Sequence, residues 1–302
     1  LVRSRGLGDV YKRQLSPFAM LESAMERSLV LATKGIRYGQ AMLLLTIGAF
    51  IILCNWCFAY QGVVPGIVMT LGLVILIYIL TSATHLDQRI VDCAESMAII
   101  PLWLHIVFLS SCLFFFLNQQ YFPLIAYSII LVLCLRHIYE KKMSLREVVG
   151  LRIGKLLKHS LLGLALAIPV GAVGCFLSFA STSVVPTLPT FEMKSLLINL
   201  VYMVLFVGLA EELLFRGLIQ RGLMGVFGTK WGIFGAALLF AVAHLTQGLS
   251  LGLGFIFVMG MVLGYIYYKT KSLVAPVVLH GMGNVMLVSV MPYIFYGSLG
   301  GI

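Results

Sequence analysis

Charge is scarce in this sequence. Asp, Glu, Lys and Arg make up 11% of its 302 residues, while hydrophobic residues reach 61% and mean hydropathy is +1.04. A soluble domain carries about 25% charged residues, so the shortage excludes that class. Strand-type alternation of apolar and polar residues is missing too, which leaves an all-α, polytopic helical membrane protein. Acids are rarer than bases, 11 against 21, for a net charge of +10. That balance raises nucleic-acid binding, but the basic residues fall between hydrophobic segments instead of gathering on one domain. The positive-inside rule accounts for them, and no nucleic-acid partner is expected. Two features of known catalytic sites are also missing. There is no H-E-x-x-H and no Asp within 195–296, which excludes a standard zincin helix and weakens a Ser/His/Asp site.

Six cysteines are present, nearly all inside apolar runs. Cys54-x-x-Cys57 has redox or zinc spacing, but within a membrane helix the pair reads as small packing residues, and no disulfide is expected. Residues 1–14 contain SRGLGDVYKRQ, which reads as a translated sequencing adapter. They are expected to be non-biological and to stand outside the fold.

Apolar runs long enough to cross a bilayer fall at about 40–60, 64–84, 97–117, 122–139, 160–181, 195–223, 231–247, 251–268 and 274–296, giving about nine spans. Arg27, Lys34 and Arg37 precede the first, seven basic residues crowd 136–158, Arg221 and Lys230 flank a later turn, and Lys269 and Lys271 another. The loops near 61–65, 118–123 and 246–250 hold no Lys or Arg. The alternation predicts a cytoplasmic N-terminus. Residues 141–159 carry apolar residues at helical spacing with bases between, as an interfacial amphipathic helix or an ordinary connecting helix would. The polar, Pro-containing connector at 182–194 suggests a boundary. It separates an N-terminal bundle with its basic loop, 15–181, from a unit at 195–296 that holds every intramembrane charge pattern. Gly260 and Gly264 in that unit form a G-x-x-x-G suited to close helix packing.

Glu211 and Glu212 lie together in VYMVLFVGLAEELLFRGLIQRGL, with Arg216 following. An ionised side chain at bilayer depth costs about 2.5–3.5 kcal/mol even on the lenient scale, so such residues default to a functional hypothesis. Glu212 and Arg216 are i, i+4 with the acid first, the better order for an ion pair. Glu211 is rotated about 100° away and is left for other partners. The alternative is that both acids belong to one ion-pair network that locks the bundle. Phe240-x-x-x-His244 and His280-x-x-x-Asn284 follow on later spans. Either His alone reads most simply as a helix–helix hydrogen-bond residue. Together with an Asn and two Glu in consecutive spans, they suggest a site. By helical rise Glu211 lies ~15 Å from Arg221, His280 ~14 Å from Lys271 and His244 ~21 Å from Lys230, so all three fall within the bilayer.

Such a set could hydrolyse peptides. A desolvated carboxylate is a stronger base than one in water, and with a His it can polarise a water. A second His and an Asn can donate to a tetrahedral oxyanion, worth about 2.7–4 kcal/mol per donor in a comparable case. Alternatively Glu211, His244 and His280 could hold zinc with an open water position.

The ordered triple E-E-x-x-x-R, F-x-x-x-H and H-x-x-x-N, carried by Glu211, Glu212 and Arg216, then Phe240 and His244, then His280 and Asn284, resembles the CAAX prenyl protease and bacteriocin-processing (CPBP, or Abi) family over about 195–296. The resemblance implies an intramembrane endopeptidase. Glu211 and His244 would activate the water, His280 and Asn284 would form the oxyanion site, and Glu212, Arg216 and Phe240 would support them. Members are often described as metalloproteases, and a metal-free glutamate mechanism is also proposed. Asn284, a poor zinc ligand and a good oxyanion donor, favours the second. The expected partners are a peptide or membrane-protein substrate and the lipid bilayer. The expected location is a bacterial plasma membrane. The rival class is a non-enzymatic membrane protein, either a bacteriocin self-immunity factor or a proton- or cation-coupled transporter built on the same polar cluster. A transporter is disfavoured because the two halves show no repeat.

Overall fold

The computed structural model describes residues 17–83, 85–112, 122–181, 193–247 and 251–296. The segment expected to be adapter-derived, 1–14, lies outside the described residues, as does most of the 182–194 connector. Among the described residues every regular element is helical. Among the described residues six helices are long and apolar enough to cross a membrane: Gly39–Tyr60, Val63–Ser82, Leu145–Leu177, Met193–Phe227, Leu251–Thr270 and Val274–Phe295. The expected spans at 97–117, 122–139 and 231–247 correspond to helices of 14, 19 and 15 residues, so the count of nine is approximate.

Residues Leu44–Ile302 form one compact unit and Leu1–Leu43 another; only the first is described further. Helix α1 (Pro17–Tyr60) continues into the larger unit. There it buries Leu44, Ile47, Ile51 and Cys54, spaced three and four apart, so one stripe faces protein. Helix α2 (Val63–Ala83) does the same with Thr70, Leu73 and Ile77 and leaves Val64, Val68, Leu71, Ile75 and Ile79 outside, as a lipid-facing helix does. Helix α3 (Gln88–Met97) is short and amphipathic, capped by the Asp87 carboxylate accepting from Arg89 N–H. Helices α4 (Ile99–Cys112) and α5 (Phe122–Glu140) pack on each other, and α5 also packs on the helix that carries the two glutamates.

The basic stretch at 141–159 is not one continuous helix. Helix α6 (Leu145–Val149) stops at Gly150, whose φ of 63° lies in the left-handed region that favours glycine, and a short 3-10 turn precedes α7 (Leu156–Ser181). The break lets the chain tuck beneath a later turn. Val149 O accepts from Leu273 N–H at 2.8 Å, and Val148 O accepts from the Tyr267 hydroxyl at 3.2 Å.

Helix α8 begins at Met193–Val201 and widens to π geometry over Tyr202–Gly208. It then makes one α turn at Leu209–Glu212, widens again over Leu213–Gln220 and ends as Arg221–Phe227. Helices α9 (Thr229–Ala243), α10 (Leu251–Thr270) and α11 (Val274–Val285, extended by Met286–Val290 and Met291–Tyr296) complete the chain. Helix α11 packs along α7 and against the first π stretch. At Gly281 a Cβ would come within 2.5 Å of Val204 Cα, so α8 and α11 meet backbone to backbone there. Helices from both sides of the 182–194 connector thus share one interior.

Candidate active site

The three charged side chains of the first motif are buried. Glu211, Glu212 and Arg216 expose 2%, 0% and 1% of their surface. Burial of three ionisable groups demands partners, and the structure supplies them in two sets.

The first set belongs to Glu212. Arg216 Nη1 lies 3.1 Å from Glu212 Oε1, one turn along α8, with alignment too poor to count as a hydrogen bond. The guanidinium sits 4.5 Å from the centroid of the Phe240 ring and donates to Gly260 O at 3.3 Å. One turn further, Gln220 Nε2 donates to Gly264 O at 2.9 Å. The G-x-x-x-G thus presents two carbonyls to two side chains of α8. Phe240 roofs the ion pair with its π face, which favours a desolvated cation. Glu212 Oε1 also accepts from His280 Nδ1 at 2.7 Å, a link absent from the sequence reading, which gave Glu212 only Arg216.

The second set surrounds Glu211. Its Oε1 accepts from the Tyr127 hydroxyl at 3.0 Å. Its Oε2 has no hydrogen bond and lies 3.8 Å from His244 Nε2 and 3.7 Å from His280 Nε2. These gaps are too long for direct hydrogen bonds and suit a bridging water. Neither Tyr127 nor Trp103 carried any signal in the sequence. An aromatic residue in an apolar run looks the same whether it faces lipid or a site. Trp103 packs edge-on against His244, with centroids 5.6 Å apart, and beside Tyr127 at 6.4 Å.

Tautomers follow from the partners. Phe240 O can only accept, so His244 Nδ1, 2.8 Å away, carries the proton. In the neutral ring Nε2 is then a bare lone pair facing Glu211. With Glu212 ionised, His280 Nδ1 also carries a proton, and its Nε2 can donate only when the ring is doubly protonated.

Tyr127, Glu211, Phe240, His244, His280 and Asn284 all line one cavity of about 470 Å³, otherwise walled by apolar residues such as Met203, Phe255, Met259 and Leu287. Asn284 lies one turn beyond His280 on α11 and opens onto that cavity. The sequence-derived residues are therefore brought together, with Glu212 and Arg216 behind the cavity wall. Among the described residues no group of three or more His, Cys, Asp and Glu has the spacing to hold a metal ion.

The comparison with known families bears on this segment. Residues 193–286 match the family model of type II CAAX prenyl endopeptidase Rce1-like proteins. The match begins with α8 and ends just past Asn284, so it spans all three motifs. It agrees with the family resemblance carried by those motifs and supports a CAAX-protease-like intramembrane endopeptidase as the general class. The matched segment contains neither Trp103 nor Tyr127. No curated protein and no solved structure matches the chain.

Proposed function

We propose that this protein is an intramembrane endopeptidase in which Glu211 and His244 activate a water and Asn284 and His280 stabilise the oxyanion. The supporting observation is the pair of lone-pair acceptors, Glu211 Oε2 and His244 Nε2, held 3.8 Å apart at the wall of a cavity. Two acceptors repel unless hydrogens lie between them. A water that donates one hydrogen to each leaves its own lone pair aimed into the cavity, the arrangement a hydrolytic nucleophile needs.

The reaction follows in order. The water oxygen bonds to the scissile carbonyl carbon as its proton passes to Glu211. The carbonyl oxygen becomes an oxyanion, within reach of donors on α11. Asn284 offers its amide N–H whatever the protonation of its neighbours. His280 donates from Nε2 as an imidazolium. That form also balances the buried charge, because Glu211, Glu212 and Arg216 sum to one negative charge that a proton on His280 cancels. Collapse of the intermediate breaks the C–N bond, and the proton on Glu211 moves to the leaving amine. Glu212 and Arg216 take no part in bond making; Glu212 holds His280 through its Nδ1, and Arg216 holds Glu212.

The apolar cavity walls favour an extended apolar peptide or the end of a membrane-protein segment as substrate, and the bacterial plasma membrane is the expected setting. The test is cleavage of a peptide library in proteoliposomes by the parent, Glu211→Gln and His244→Ala, each with and without a chelator. Cleavage is expected from the parent alone, indifferent to chelation. Loss on chelation with recovery on adding zinc would replace glutamate-activated water by a metal centre. Undiminished cleavage by Glu211→Gln would sink the assignment and return the cluster to a non-enzymatic role.

A further inference from the structure

We infer that Tyr127 is a positioning residue of this site, contributed by a helix outside the family-matched segment. The inference rests on the reading of Glu211 as the base. A carboxylate on a flexible side chain has two equivalent oxygens and free rotation about its last bond. To work as a base toward one point, one oxygen must be held away. Tyr127 does this: its hydroxyl donates to Oε1 at 3.0 Å, which leaves Oε2 turned toward His244 and His280.

The hydroxyl is itself held. Tyr127 projects from α5, which packs on the α turn that carries Glu211, and its ring lies beside Trp103 of α4 at 6.4 Å. The same indole packs edge-on against His244. The α4–α5 pair thus buttresses both members of the water-activating pair, the carboxylate through a hydrogen bond and the imidazole through a ring contact. Among the described residues Glu211 makes no other hydrogen bond, so no second donor replaces the phenol. A single donor on Oε1 also leaves the lone pairs of Oε2 unoccupied, whereas a second donor there would occupy the one that takes the proton.

The experiment uses the full chain in detergent and in proteoliposomes. Tyr127→Phe removes one oxygen and keeps the ring, so packing against Trp103 persists. In difference infrared spectra of Tyr127→Phe against the parent, a carboxylate stretching band is expected to shift, and the shift should vanish when the comparison is repeated on a Glu211→Gln background. This arm needs no substrate. In peptide cleavage, kcat should fall about ten- to hundredfold, the range a misplaced reacting group produces, with KM within twofold. No carboxylate shift, or one that survives Glu211→Gln, would overturn the inference. So would an unchanged kcat in a chain that Glu211→Gln inactivates. If Glu211→Gln itself retains cleavage while the infrared shift is present, the hydrogen bond stands and the assignment of Glu211 as base has failed instead.

Discussion

Replacing Arg216 by Met tests whether the buried ion pair is a structural clamp or a positioning device. With Nη1 and Oε1 3.1 Å apart, an effective dielectric of about 20 gives an attraction of ~5 kcal/mol. Desolvation of both ions offsets much of that, but breaking such a pair from one side strands the other charge and costs about 3–5 kcal/mol. The loss is compounded by the Phe240 π contact, worth about 2 kcal/mol when water is excluded. Arg216→Met should therefore lower the unfolding free energy, read by denaturant titration in micelles, by about 3–5 kcal/mol. The double variant Glu212→Leu/Arg216→Met removes both charges and should regain most of that stability, because an apolar pair of similar volume is often neutral or better. It should not regain cleavage, because His280 then loses the carboxylate 2.7 Å from its Nδ1. A cost below about 1 kcal/mol for Arg216→Met would refute the burial argument. A double variant that cleaves at the parental rate would refute the claim that Glu212 acts through His280.

Three further outcomes are expected. Phe240→Leu uncovers the Arg216 guanidinium and should cost about 1–2 kcal/mol in the same titration, with cleavage reduced; full stability would mean the ring is only filler. Gly281→Ala places a Cβ 2.5 Å from Val204 Cα and should destabilise by about 1–3 kcal/mol, with cleavage falling as α11 is pushed off α8; wild-type turnover would show that the close approach is dispensable. Burial, aided by the charge of Asp92, pushes the Cys93 thiol up to about 12, so at pH 8 only about one molecule in ten thousand carries the thiolate. Maleimide labelling of native protein followed by peptide mass spectrometry should leave Cys93 unmodified, and labelling at the rate of a free thiol would contradict its burial.

The motif residues were legible because charge inside an apolar run has few explanations. The spacing of Glu212 and Arg216 is enough to pair them, and the structure keeps that pair. What stayed hidden depends on tertiary geometry. Nothing in VYMVLFVGLAEELLFRGLIQRGL announces the two π stretches that flank Glu211 and Glu212, because runs of 7 and 8 mostly apolar residues are too short to show a wider period. The bond from His280 to Glu212 joins residues 68 positions apart. Tyr127 and Trp103 lie in runs where an aromatic residue signals only apolarity. The break at Gly150 was missed because the apolar period of 141–159 continues across it, while the backbone turns there to reach Leu273.

Helix α11 carries the final two members of the cluster, and this orders how the cluster is assembled as the protein is made. As the nascent chain threads into the membrane, α8 arrives with an acid and a base already one turn apart, so Glu212 and Arg216 enter as a self-neutralised couple. Glu211 enters without His244 or His280, which follow 33 and 69 residues later. Until α9 is in place the carboxylate lacks His244, and until α11 is in place it lacks His280 and Asn284, the oxyanion donors of the proposed mechanism. Under the proposed mechanism, hydrolytic competence therefore waits for α11, and a nascent chain inserted only as far as α8 lacks the groups that the mechanism requires.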